Sequence, residues 1–272
     1  MTSAPLPRDP GRSGASVLGV ASYDEIKRRA RNADADVIAR RTRWFLLGSV
    51  VVTLALYYVP YGLVVGLPLL WLSTFVHELG HGFTAALLGG HFDSFVMHAD
   101  GSGATSWSAS GFFGPVRQAL VAAGGLVGPA VAAAIGFVIA RKPKASQVTL
   151  LVATFALVVI GVLVVRNGLG WAFVAGLALV VGLLATRKNP HVAQLGLVFL
   201  STQLAMAVFS RGDYLFTEYA QTAEGRMPSD VAQMAHALLL PYWFWGGLCG
   251  LFSVAVLGAG LWVFFKGASV RE

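Results

Sequence analysis

The chain has 272 residues, of which 56% are hydrophobic and 12% are charged, and its formal net charge is +7. A soluble domain usually carries about 25% charged residues, so most of this surface faces something other than water. The basic charge is concentrated in residues 1–43, which hold nine Lys or Arg against five Asp or Glu. This segment has one aromatic residue, Tyr23, and no recognition motif, which argues against nucleic-acid binding. It is more typical of a flank that contacts anionic lipid headgroups.

The order of elements starts with this tail, 1–43, which we expect to be partly disordered with an interfacial helix from Tyr23 to Arg43. Apolar runs follow, and a membrane span needs about 20 such residues, with about 17 as a minimum. The runs cover 44–60, 62–88, 118–140, 147–165, 169–186, 191–209 and 242–266. We therefore predict an all-α polytopic membrane protein with about six to seven transmembrane helices, six if 169–186 is re-entrant. The transmembrane domain covers 44–266, and 267–272 is a short C-terminal tail.

Two polar insertions interrupt the apolar runs. In 89–117, apolar residues alternate on both sides of Asp100-Gly101-Ser102-Gly103, which predicts a Gly-rich β-hairpin. In lipid, its edges are tolerable only when buried against protein or lining a wet cavity. The second insertion, 210–241, is rich in acidic residues, and we expect a surface loop with some helix.

The distribution of Lys and Arg gives a first topology. If the tail lies inside and all seven runs cross, then 89–117, the turn at Arg166 and 210–241 share its side. That side then holds thirteen Lys and Arg and the other holds seven, including Lys266. Nearly all of this bias comes from the tail.

The run 62–88 contains the sequence His77-Glu78-Leu79-Gly80-His81, a His-Glu-x-x-His motif. At helical pitch, residues i and i+4 lie on one face, so two imidazoles can bind one ion. Glu78 lies beside them as a candidate general base. Ionisable groups are costly at membrane depth, and 44–88 contains no Lys or Arg to neutralise Glu78. A Zn²⁺ site explains this cluster better than mutual hydrogen bonding does.

A third ligand must come from elsewhere. A metzincin would need Gly and His at the positions of Thr84 and Leu87, so that class is excluded. With seven spans, 62–88 and 191–209 end on the same side, and Asp213 follows the second of them at a depth similar to His81. Asp213 is the preferred third ligand, and the alternative is a loop residue that pairs with Arg211. The other candidates are His91, Asp93, His98, Asp100 and Glu218.

Together with Gly124-Gly125-Leu126-Val127-Gly128-Pro129 in the next helix, these features resemble the site-2 protease (M50) family, in its M50B-like branch. The resemblance implies an intramembrane zinc metalloprotease that cleaves transmembrane protein substrates in regulated proteolysis. It implies His77, His81 and Asp213 as zinc ligands, Glu78 as catalytic base, and a place in a bacterial inner membrane. The family's usual Asp-Gly motif is replaced here by Arg211-Gly212-Asp213-Tyr214-Leu215.

The hairpin is the predicted substrate contact. His91 and His98 are candidate substrate-binding residues that donate to a developing oxyanion, and the strands could pair with an unwound substrate. A different class of function stays open, namely a non-catalytic zinc-binding membrane regulator or a transporter. Transporters often contain internal repeats, and we find none. A structural zinc site would tolerate loss of Glu78, whereas a protease would not.

Overall fold

The computed structural model describes residues 23–56, 62–109, 114–210, 214–223 and 225–269, and residues 1–22 of the tail lie outside this part. The helices are α1 (Tyr23–Leu56), α2 (Gly62–Leu87), α3 (Gly114–Ile139), α4 (Pro143–Val164), α5 (Gly168–Ala185), α6 (Pro190–Ser210), α7 (Asp230–Leu238) and α8 (Tyr242–Ser269). The strands are β1 (His91–Met97), β2 (Gly103–Ser108), β3 (Tyr219–Thr222) and β4 (Gly225–Pro228). A 3₁₀ turn, Tyr214–Phe216, precedes β3.

The helices confirm an all-α polytopic membrane protein. Among the described residues, five segments are long and apolar enough to cross a membrane. These are Gly114–Ile139, Pro143–Val164, Gly168–Ala185, Pro190–Phe216 and Tyr242–Lys266. They have many large apolar side chains on their outer faces, which suits lipid rather than water.

Helix α3 is the centre of the bundle and packs against α2, α6, α7 and α8. Its contact with α2 is close because glycines face each other. A Cβ added at Gly80 would overlap the carbonyl of Gly124, so neither helix could carry a larger side chain there without moving. Small residues of this kind allow membrane helices to approach at backbone distance. The packing therefore fixes α2, and the motif it carries, against α3.

The bundle has two distinct ends. What we call the turn end contains the α3–α4 turn, the α5–α6 turn and the C-terminus of α8. Gln194 Nε2 donates to Ala140 O at 2.7 Å, and Gln147 Nε2 donates to Ala185 O at 2.8 Å, which ties the two turns together. The opposite end, called the site end, contains both strand pairs and α7.

Helix α1 corrects the sequence-derived topology. The guanidinium of Arg43 lies 5.7 Å from the ring centroid of Phe265, and the same shallow cavity is lined by Trp262 and Lys266. Arg43 therefore lies at the turn end beside Lys266, and the prediction that they lie on opposite sides is wrong. The apolar part of α1, residues 44–56, is only about 20 Å long at 1.5 Å per residue. This length is too short to cross a core of about 30 Å, so counting it as a full span gave the error.

The expected hairpin after α2 is confirmed as the antiparallel pair β1–β2. At its tip, backbone and side-chain hydrogen bonds from Ser102 hold the pKa of Asp100 below its ordinary value. Thr74 Oγ1 donates to Gly101 O at 2.6 Å, so the hairpin lies back along α2. The second insertion contains the expected helix, α7, and also a strand pair, β3–β4, that the sequence did not predict.

Candidate metal centre and active site

His77, Glu78 and His81 lie together on one stretch of α2 and are 8%, 8% and 9% exposed. One potential ligand atom from each lies within 4.8 Å of the others. Burial of three ionisable groups in a largely apolar bundle is unfavourable unless they share a compensating charge. The nitrogen and oxygen atoms of these side chains therefore form a set of ligands that a bound cation would stabilise.

The ring of His81 is held by α3. His81 Nδ1 lies 2.8 Å from Val121 O, and since a carbonyl can only accept, Nδ1 carries the proton. The other nitrogen, Nε2, faces His77 Nε2 at 3.1 Å and is the atom that would bind a metal. A backbone carbonyl in this position is a common means of fixing the tautomer of a metal-binding histidine.

Gly125 makes room for the ring. A Cβ added at Gly125 would overlap the Cε1 and Nε2 atoms of His81. The glycines of α3 therefore allow the helix to approach the metal motif closely, and they leave space for the His81 ring.

Asp230 completes the cluster from the far side. Its Oδ2 lies 3.1 Å from His77 Nε2, and its Oδ1 lies 3.4 Å from His81 Nε2. Asp230 is the first residue of α7, whose N-cap Ser229 accepts a hydrogen bond from Ala232 N at 3.2 Å. Burial acts to raise the pKa of Asp230, but attraction by the imidazoles of His81 and His77 outweighs it and lowers that pKa below its ordinary value.

The spacing of these atoms is close to that of a zinc site, with two of the three distances slightly shorter. With zinc bonds of about 2.0–2.2 Å, two ligand atoms of a tetrahedral site are about 3.3–3.6 Å apart. The Nε2–Nε2 distance and the two Asp230 contacts run from 3.1 to 3.4 Å. In addition, Asp230 Oδ2 is buried and has no hydrogen bond of good geometry. A carboxylate oxygen without a hydrogen bond, beside the Nε2 atoms of two imidazoles, is the arrangement that a bound cation would satisfy.

The cluster forms the floor of a cavity of about 190 Å³. The wall is built from both strand pairs, α3, α7 and the turn at Tyr214, whose ring centroid is 6.2 Å from that of His77. The lining residues outside the cluster are His98, Gly103, Ala104, Thr105, Trp107, Val121, Ala122, Tyr214, Ala220, Thr222, Met227, Pro228 and Gln233.

Strand β1 is closed on its outer edge. Arg166 N donates to Phe95 O at 3.0 Å, and Asn167 donates to Met97 O at 2.6 Å and accepts from Met97 N at 3.2 Å. The backbone groups of Phe95 and Met97 therefore point away from β2. In an antiparallel pair, their partners point outward as well.

Strand β2 is open on the side of the cavity. The partners of Phe95 and Met97 are Thr105 and Gly103, so the backbone N–H and C=O groups of these two residues point away from β1. Both residues line the cavity. Within the described residues, β2 pairs with β1 alone. The outward main-chain groups of β2 thus lie next to Glu78, and no other strand among the described residues pairs with them.

The predicted site residues have different outcomes. His77, Glu78 and His81 are brought together, and His98 lines the same cavity. His91 begins β1, is exposed and is not among the lining residues. Asp213 lies outside the described residues, so its assignment stays a prediction.

Asp230 was missed as a candidate ligand. The available signal was Ser229-Asp230, an N-cap followed by an acidic first residue, ahead of the apolar Val231, Ala232 and Met234. Burial of Val231 and Met234 against α3 and α8 carries the adjacent carboxylate into the interior.

The fold and the site define a polytopic membrane protein with a buried His-Glu-x-x-His centre at one end of a helical bundle. The model of the Peptidase M50B-like family matches residues 47–260. The chain therefore belongs to the Peptidase M50B-like family, a family of peptidases, and M50 peptidases are zinc metalloproteases. The chain matches no curated protein and no solved structure.

Proposed function

We propose that the protein is an intramembrane zinc metalloprotease that hydrolyses peptide bonds of transmembrane protein substrates. The observation that carries the proposal is the convergence of His77, His81 and Asp230 next to Glu78, in a cavity among membrane helices. A neutral imidazole pair, a carboxylate and one open position form the usual donor set of catalytic zinc.

The residues have distinct roles in this proposal. His77, His81 and Asp230 hold the metal, and Val121 O orients His81. Bound zinc supplies a Lewis acid that polarises the substrate carbonyl and makes water more acidic. Glu78 accepts the proton of the attacking water and delivers it to the leaving amine, the usual task of a buried general base. His98, on the cavity wall, is the candidate donor to the developing oxyanion.

The third ligand is proposed to be Asp230. Its carboxylate already contacts both imidazoles, and the elements that place it there, α3 and α8, are well packed around α7. Asp213, the candidate from the sequence, stays a prediction, and both residues can be tested together.

The substrate is proposed to bind as an added strand along β2. The outward N–H and C=O groups of Gly103 and Thr105 would pair with a locally unwound segment, which gives main-chain affinity without reading the sequence. Because β1 is closed by residues 165–167, β2 is the edge that remains available within this hairpin.

A single substitution tests strand addition. Thr105→Pro removes an outward N–H but leaves the pairing to β1 intact, because that N–H does not bond to β1. Thr105 Oγ1 also donates to Glu78 O at 3.1 Å, so Thr105→Val is the matched control for loss of the hydroxyl. We expect cleavage to be lost in the proline variant and largely kept in the valine variant. Equal cleavage by both would refute strand addition at this position.

The main experiment compares wild type with Glu78→Gln for cleavage of tagged single-pass membrane proteins, and for zinc content after purification. We expect equal zinc and loss of cleavage in the variant. A zinc-binding regulator or transporter, the alternative class, would show equal zinc with no dependence of its function on Glu78. Absence of zinc from both proteins would refute the metal assignment.

A further inference from the structure

A shallow cavity lies between α1 and α8 at the turn end of the bundle. Its volume is about 570 Å³, and it is lined by Arg43, Trp262, Phe265 and Lys266. All four side chains are exposed. Within the described part of the chain, the lining therefore consists of two cations and two aromatic rings, and it includes no carboxylate.

The cavity lies where the apolar stretches of the two helices end. Lys266 is the last residue of the apolar stretch of α8, and Arg43 lies near the start of the apolar stretch of α1. Tryptophan is enriched at this depth, where its ring lies among the lipid headgroups. Long cationic side chains near helix ends extend their charges to the same level. The ligand that a membrane offers to this cavity is therefore a lipid headgroup.

The charges of the cavity favour an anion. Lys266 Nζ lies 4.5 Å from the ring centroid of Trp262, and the Arg43 guanidinium lies 5.7 Å from that of Phe265. An aromatic ring attracts a cation through its face, but it carries no net negative charge. Two like charges that line one cavity are stabilised by an anion between them. The fork of an arginine and the point charge of a lysine are both common partners of phosphate oxygens.

The two sides of the cavity are fixed to the bundle by separate contacts. On α1, Thr53 Oγ1 accepts a hydrogen bond from Gln203 Nε2 of α6 at 2.9 Å. On α8, Gly260 packs so closely on α3 that an added Cβ would overlap Ala134. Neither contact involves the lining residues, so the helices are held in place without a ligand. Such preorganisation lowers the entropic cost of binding.

We propose that this cavity binds the phosphate of an anionic phospholipid such as phosphatidylglycerol. Arg43 and Lys266 contact the phosphate oxygens, and Trp262 packs against the glycerol and the upper part of the acyl chains. A zwitterionic lipid is a poorer ligand, because its own ammonium group is repelled by the two cations. The site lies at the opposite end of the bundle from the metal centre, and its occupancy does not depend on proteolysis.

Native mass spectrometry of the purified, detergent-solubilised protein measures this binding. The protein is titrated with dioleoyl phosphatidylglycerol, with dioleoyl phosphatidylcholine, and with glycerol phosphate, which carries the phosphate without acyl chains. We expect wild type to bind one phosphatidylglycerol at least about 10-fold more tightly than phosphatidylcholine, and the difference to shrink as ammonium acetate is raised. Equal affinity for the two lipids would overturn the proposal. Binding of glycerol phosphate as tight as that of phosphatidylglycerol would show a site for free phosphate and overturn the lipid assignment.

Neutral side chains locate the binding. Arg43→Gln combined with Lys266→Gln removes both charges from the cavity. The matched control is Arg187→Gln combined with Lys188→Gln, which removes two charges from exposed positions of the α5–α6 turn at the same end. We expect the first pair to weaken phosphatidylglycerol binding by about 30-fold, the effect of two charges near a lipid surface. The control pair should stay within about 2-fold of wild type. Equal weakening by the two pairs would mean diffuse attraction to the whole end of the bundle and would refute a site at Arg43 and Lys266.

An exchanged pair separates the effect of charge from an effect on the fold. Arg43→Lys combined with Lys266→Arg keeps both charges in the cavity, and we expect its affinity for phosphatidylglycerol to stay close to that of wild type. Circular dichroism and size-exclusion elution verify that each variant is folded. A loss of binding in the exchanged pair as large as in the neutral pair would contradict the proposal, because both charges are still present.

Discussion

At the scale of single residues, the first prediction concerns Asp230 as the third metal ligand. Asp230→Asn keeps the size of the side chain but removes the charge that faces His77 and His81. We expect it to lower zinc affinity by more than the 10- to 100-fold typical of residues outside the ligand shell. Zinc content after dialysis against a graded chelator measures this effect.

Asp213→Asn is the matched comparison for that experiment. It removes the carboxylate that the sequence favours, and we expect its zinc affinity to stay close to that of wild type. If Asp213→Asn loses zinc and Asp230→Asn retains it, the ligand assignment reverses.

Gly125 gives a second prediction at this scale. Gly125→Ala puts a methyl group where the His81 ring lies, so the ring must move and its hydrogen bond to Val121 O must weaken. We expect zinc affinity to fall by about 10- to 100-fold, as when an orienting partner is lost. Gly176→Ala is the control, because a Cβ there meets nothing within 4 Å. Equal zinc binding by the two variants would contradict the proposed role of Gly125.

At the scale of elements, Asn167 joins β1 to the start of α5. Its side chain accepts from Gly170 N at 3.1 Å as an N-cap, and it also holds both backbone groups of Met97. Asn167→Ser keeps a good cap but is too short to reach β1, whereas Asn167→Ala removes both functions. We expect the alanine variant to lose about 1 kcal/mol for the cap and roughly as much for the hydrogen bonds to β1.

Hydrogen exchange separates these two contributions. The Met97 amide should exchange faster in both variants, whereas the first turn of α5 should become less protected in the alanine variant alone. If Met97 remains protected in the serine variant, Asn167 does not hold the hairpin.

The strand pairs and helix α7 differ in how far the sequence predicts them. The β1–β2 hairpin was predictable, because alternating apolar residues surround a Gly-rich turn and its core side chains Phe95 and Met97 are fully buried. The strand pair β3–β4 has only four residues a strand, with β4 exposed throughout, so no period-two apolar pattern marks it. Asp230 could not be predicted from the ends of the long helices, because it begins the short helix α7. Its position depends on the packing of a nine-residue helix, which only tertiary structure fixes.

At the scale of the whole molecule, the topology depended on how many apolar runs cross. The helical content and the polytopic class followed from composition and run length, because a bilayer requires internal satisfaction of backbone groups. The depth of the residues after Trp44 in the membrane could not be predicted in this way, since a short apolar helix can enter the bilayer without crossing it. The contact between Arg43 and Phe265 decides that point, because it puts Arg43 at the same end of the bundle as Lys266.

Zinc should also stabilise the whole fold, because its ligands come from α2 and α7, which are 149 residues apart at His81 and Asp230. A ligand that binds only the folded state adds about 2.7 kcal/mol at a concentration 100 times its Kd. We therefore expect the Tm of purified wild type to fall after chelation and to recover when zinc is restored. Glu78→Gln should respond in the same way, because Glu78 is a base and not a ligand in this proposal. His77→Ala should have a lower Tm that does not respond to zinc, and a zinc-dependent rise of wild-type size in that variant would place the stabilising metal elsewhere.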